Sequence, residues 1–134
     1  MSVNNELASL AWIERLMRVD TTSRDSNLPL IETVEAEAGR LGLPSVRVAS
    51  ATEPKSNLWV TVPAANGTTT GGVVLSGHTD TVPVDGQDWR SNPFEPVLRD
   101  ERLYGRGACD MKGFIGVSMA WLQKFAAADL SEPL

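Results

Sequence analysis

The chain has 134 residues, enough for one domain with a sizeable core, and its 42% hydrophobic and 22% charged residues are ordinary for a globular protein. A net charge of −5 and a pI of about 4.8, with basic residues scattered singly, argue against nucleic acid or an acidic membrane as a partner. The N-terminus shows no signal peptide, no apolar run approaches the ~20 residues of a membrane span, and the single Cys109 has no internal disulfide partner; the expected location is the cytoplasm.

Along the chain, Leu7, Leu10, Ile13 and Leu16 recur at three-residue steps with Met17 alongside, which predicts an amphipathic helix over residues 5–19 capped by Asn4 or Asn5. Residues 20–27, DTTSRDSN, read as a loop of turn formers. A second helix follows, with Pro29 in its first turn, Ile31, Val34, Ala38 and Leu41 on one face, and Gly42 placed to end it. SVRVA (45–49) and NLWVTV (57–62) read as short strands, AANGTTTGG (64–72) as a surface loop, and VVLS (73–76) as an interior strand buried on both faces. Residues 84–96 are irregular, and PVLRDERLYG (96–105) predicts a hairpin turning at Asp100 and Glu101. A last helix, about 111–127, is apolar around much of its circumference and so is expected to be buried. Helices flanking a mixed, largely buried sheet make the expected fold class α/β.

Two stretches carry chemistry. In SGHTDTVP the chain's one histidine, His78, stands at the carboxyl end of the predicted 73–76 strand, where ligands gather in α/β sheets. Asp80, two residues on, projects to the same side if the segment is extended, and a carboxylate so placed orients a metal-bound imidazole. Equally, a single histidine is commonly a surface or satisfied core residue. In LYGRGACDMKG, Gly105 and Gly107 permit a tight backbone and Asp110 falls at the helix start. There it is either an N-cap or a carboxylate able to bridge two cations. Cys109 is a soft ligand or an inert small hydrophobe, Trp89 and Phe94 floor a pocket or simply pack, and Arg106 meets an anionic substrate or a neighbouring carboxylate.

Taken together, SGHTDTVP, the W…NPF stretch and LYGRGACDMKG resemble the aminoacylase and carboxypeptidase-like family of two-zinc metallohydrolases. The resemblance covers essentially the whole chain. It implies that His78 ligates one zinc, that Asp110 bridges two and is followed by a cis peptide, and that Asp80 is a catalytic residue supporting His78. It also implies two Zn2+ ions in the full-length enzyme, with Co2+ an alternative, and a homodimer. The implied substrate is an N-acyl amino acid, N-acetylornithine first, whose amide is attacked by a metal-activated water. Substrate-binding residues are not identified.

The family's Glu-Glu pair, its further carboxylate ligand and its second histidine have no counterpart here. The chain therefore reads as the N-terminal part, residues 1–134, of such a catalytic domain, with the lid and dimerisation domain absent. One imidazole and one carboxylate fall short of the four ligands of a zinc site, so this chain alone is expected to bind zinc weakly and to hydrolyse no amide. The competing readings are a non-catalytic truncated module, a desuccinylase or another aminoacylase or dipeptidase. A nucleotide-binding domain is weaker still, because GRGACDMKG lacks phosphate-loop spacing.

Overall fold

The computed structural model describes residues 3–134, with side chains described from Glu6 onward. Helix α1 (Val3–Met17) buries Leu16 and Met17 completely, while Leu7 at the other end of its stripe is exposed. The helix already includes Val3, so Asn4 and Asn5 sit within its first turn rather than ahead of it; their side chains lie outside the described residues.

Helix α2 (Leu28–Arg40) begins with Pro29 in its first turn and buries Leu30, Ile31 and Ala38. Its end is a full Schellman motif: Gly42 takes φ 68°, its N–H donates to Gly39 O at 3.0 Å, and Leu43 N–H donates to Ala38 O at 2.9 Å. The helix packs on an antiparallel hairpin of β1 (Ser45–Ala49) and β2 (Ser56–Val60), in which Ser45 faces Val60 and Arg47 faces Leu58. A second hairpin joins β3 (Val97–Arg99) to β4 (Arg102–Tyr104). Its two-residue loop, Asp100 and Glu101 at φ 50° and 59°, has the twist that suits paired strands, as the sequence predicts.

Helix α3 (Lys112–Ala126) crosses α1 at Gly116, where a Cβ would stand 2.7 Å from the Ile13 backbone nitrogen. Together with an isolated parallel bridge between Thr22 and Thr81, these elements make a mixed α/β fold. No helix among the described residues is long and apolar enough to cross a membrane.

Two expectations fail. Residues 73–76 are not a buried strand: they join no ladder, and Val73, Val74 and Leu75 are 59%, 60% and 46% exposed. Their apolar character calls for sheet neighbours and covering layers, and the described residues supply neither. Nor is α3 buried all round. Lys112, Gly116 and Met119 are buried, but Phe114 and Val117 are exposed, because α1 covers only one side of the helix.

Candidate metal centre

Two segments build the site, and each is anchored from elsewhere in the chain. The first is 78–81. Thr21 and Ser23 run beside it as a strut: Thr21 Oγ1 donates to Thr79 O at 2.6 Å, Thr81 N–H to Thr21 O at 3.0 Å, and Ser23 N–H to Thr81 O at 2.9 Å. Asp20 shapes the strut, its Oδ1 accepting from Thr22 N–H at 2.9 Å and Thr22 Oγ1 at 2.7 Å. From another direction Asn27 clamps the segment to the hairpin. Its Nδ2 donates to Ser56 O and to Thr79 Oγ1, both at 2.9 Å, and its Oδ1 accepts from Ser56 N–H at 3.0 Å. The loop 20–27 that reads as mere connection is thus the scaffold of the histidine. An Asp-x-Thr turn is visible in the sequence; partners more than fifty residues away are not.

The second segment, 104–112, needs its glycines. Gly105 and Gly107 have φ 149° and 84°, and Cβ atoms there would stand 2.4 Å from Met17 Cε and 2.9 Å from Lys112 Cδ. Beneath them Lys112 is fully buried, its Nζ donating to Val19 O at 2.6 Å, and burial lowers its pKa to about 8. The Asp110–Met111 peptide is cis. Met111, not Asp110, stands at the N-cap of α3, and no side chain caps the helix. The capping role weighed for Asp110 is therefore overturned.

The Asp110 carboxylate instead meets His78. Nε2 of His78 lies 2.8 Å from Asp110 Oδ1, while Nδ1 lies 3.0 Å from the Asp80 carbonyl and 3.2 Å from Asp80 Oδ1. The His78 N–H donates to Met111 Sδ at 3.4 Å, tying the backbone of the first segment to a side chain of the second. Both ring nitrogens thus face acceptors, an arrangement that suits the doubly protonated ring. Accordingly the His78 pKa is raised, first by the hydrogen bond to Asp110 and then by its contacts with Asp80.

A metal ion at Nε2 would replace that proton and leave Nδ1–H to the Asp80 oxygens, the usual outer support of a metal-bound imidazole. The donor types, one imidazole nitrogen and one exposed carboxylate, are those that zinc takes. Ligand atoms on one tetrahedral zinc stand roughly 3.3 Å apart, so the 2.8 Å pair needs only a small outward movement of Asp110. Among the described residues, no three His, Cys, Asp or Glu side chains come together closely enough to hold a metal.

Other candidates lie differently. Cys109 is exposed. Arg106 meets no carboxylate among the described residues: its Nη2 donates to Gln87 Oε1 at 2.5 Å and its guanidinium lies 5.2 Å from the Trp89 ring centre. Trp89 and Asp110 line a common pocket of about 600 Å³, whereas Phe94 does not reach it.

Residues 74–133, which hold His78, Asp80 and Asp110, match the family described as Peptidase family M20/M25/M40. The succinyl-diaminopimelate desuccinylase of Verminephrobacter eiseniae (strain EF01-2) is 39% identical over 109 residues, 73% of this chain and 27% of its own length. The acetylornithine deacetylase of Proteus mirabilis (strain HI4320) is 35% identical over 116 residues, 86% of this chain and 29% of its own. A desuccinylase of Nitrosospira multiformis (strain ATCC 25196 / NCIMB 11849 / C 71) is 46% identical over 72 residues, 53% of this chain and 18% of its own. The chain thus spans about a quarter of the length of the curated relatives it matches. The match of residues 74–133 to Peptidase family M20/M25/M40 takes in both SGHTDTVP and LYGRGACDMKG, the two stretches that meet at His78 and Asp110.

Proposed function

We propose that this chain is the N-terminal part of the catalytic domain of a zinc-dependent amide hydrolase that removes the acyl group from an N-acyl amino acid. The observation that carries the reading is the approach of His78 Nε2 to Asp110 Oδ1 at 2.8 Å, across 32 residues of sequence, with Nδ1 turned to Asp80. In this reading His78 and Asp110 hold metal, Asp110 bridges two ions, and Asp80 keeps the imidazole in the tautomer that presents Nε2. Bound zinc supplies Lewis acidity and lowers the pKa of a coordinated water. The chain's own contribution is to fix two of the donors, on segments locked by Thr21, Asn27 and the glycines at 105 and 107. The remaining ligands and the general base belong to parts of a longer protein, which acts in the cytoplasm as a homodimer.

For substrate we put N-acetylornithine first, on the wording of GHTDTVP and GACDMKGF. The similarity to proteins named as succinyl-diaminopimelate desuccinylases supports N-succinyl-diaminopimelate as the second reading. The test uses the full-length, zinc-loaded protein with each compound in turn. Turnover of N-acetylornithine with loss of at least a thousandfold in His78→Ala and Asp110→Ala is expected. Preference for the succinylated compound reverses the substrate and keeps the metal reading; hydrolysis of neither overturns the proposal.

A further inference from the structure

The two donors of the candidate centre stand on separate segments, so their 2.8 Å approach depends on what fixes one segment against the other. The segment with His78 is carried by the strut that follows α1: Thr21 Oγ1 donates to Thr79 O, and Thr81 N–H donates to Thr21 O. Asp110 lies two residues before Lys112, the first residue of α3. From there Lys112 Nζ reaches back to the turn between α1 and the strut and donates to Val19 O at 2.6 Å. A closed ring of contacts results. It runs from His78 through Thr79 and Thr21 to Val19, across to Lys112, and along the backbone to Asp110. The ring is tight: a Cβ at Gly107 would stand 2.9 Å from the stem of Lys112 and 3.2 Å from the methyl of Thr81.

The charge is what needs explaining. Lys112 is fully buried, and among the described residues its ammonium has one hydrogen bond and no ion pair; the carboxylate of Asp20 acts on it only from a distance. An ammonium in such a place destabilises the fold unless it is well paired, and the lowering of its pKa to about 8 by burial reports that cost. Packing between α1 and α3 does not call for it, since those helices already meet at Gly116 and Ile13. Methionine, unbranched and of nearly the same length, would fill the space without the charge. What the amine alone provides is a directed bond from the Asp110 segment to the support of His78. Hydrogen bonds from charged donors are shorter and stronger than neutral ones, as a positional stop requires.

We propose that Lys112 is a positioning residue: its bond to Val19 O sets the separation of His78 and Asp110. It acts through Asp110 and not on the reacting atoms. The positioning holds in the metal-free chain, whereas its consequence for hydrolysis rests on the function proposed above.

The test is Lys112→Met. In the metal-free chain, which has one histidine, nuclear Overhauser contacts between the His78 ring and the Asp110 β-protons read the juxtaposition, and thermal unfolding reads the fold. The variant is expected to lose most of the contact intensity. It is expected to melt no lower than the wild type, because one lost hydrogen bond is set against the removal of a buried charge. In the full-length, zinc-loaded protein the substitution is expected to weaken zinc binding and lower kcat, each about tenfold, with KM unchanged. Contacts absent from the wild type, or unchanged in Lys112→Met, overturn the proposal, and so does an unchanged kcat in an active full-length variant. A variant that melts lower or does not fold makes Lys112 a residue of the fold and overturns it too. A full-length wild type that hydrolyses neither N-acyl compound refutes the proposed function instead, and the contacts in the chain still decide the positioning.

Discussion

Helix α3 serves two neighbourhoods that ended differently. Towards α1 it is closed: the backbones touch at Gly116 and Ile13, and Leu16, Met17 and Met119 are buried nearby. Towards β2 and residues 73–77 it floors an open cleft with half-exposed apolar walls. The two sides are similar in composition. What differs is cover: α1 closes one side, and no element among the described residues closes the other. Apolar pattern announces a demand for burial, and only the presence of a partner meets it.

The closed side is the one a single methyl group should break. Gly116→Ala places its Cβ 2.6 Å from Ile13 Cγ1, which a rotamer change can move, and 2.7 and 2.8 Å from the Ile13 backbone nitrogen and Cα, which it cannot. The expected loss is on the order of 2–3 kcal/mol, read by urea or thermal unfolding. Trimming the neighbour separates the explanations. If the clash is with backbone, Ile13→Ala adds its own cost and restores nothing; restored stability in the double variant would move the contact to the side chain.

At the open cleft, Asn27 joins the start of α2 to β2 and to Thr79 with three hydrogen bonds. Asn27→Ala leaves the buried Ser56 amide without its acceptor and is expected to cost about 2 kcal/mol. Asn27→Asp keeps that acceptor and loses the donations to Ser56 O and Thr79 Oγ1, so it should fall between the wild type and alanine. An aspartate variant no more stable than alanine would show that the clamp acts through its donors alone.

How legible these features were depends on range. The helices, the Schellman end at Gly42 and the turn at Asp100–Glu101 follow from local rules, and all three are where periodicity and turn chemistry place them. The convergence of His78 and Asp110 was reached through motif resemblance, because 32 residues of intervening chain carry no local signal of it. The roles of Thr21 and Asn27 are not legible, because side-chain-to-backbone bonds to distant residues leave no period in a sequence. The run 73–76 misled for the opposite reason: its pattern states correctly what surroundings it needs, and the described chain does not provide them.

The smallest effect concerns the candidate site, and it ranks the two acids around the imidazole. His78 is the chain's one histidine, so a proton NMR titration of the metal-free chain reads it without ambiguity. Its pKa in the folded state is raised, chiefly by the hydrogen bond from Nε2 to Asp110. A folded value above the unfolded one means the cation is stabilised by folding. That contribution is complete below about pH 6.5, the unfolded value, and disappears as pH rises through the folded one. Asp110→Ala should therefore lower the titration midpoint and flatten the fall in stability across this interval. Asp80→Ala should lower the midpoint less, because the nearer of the two Asp80 acceptors is its backbone carbonyl at 3.0 Å, which the substitution leaves in place. If Asp80→Ala shifts the midpoint as far as Asp110→Ala does, Asp80 holds Nδ1 through its carboxylate rather than its backbone, and the hydrogen bond to Asp110 is not the chief cause of the raised pKa.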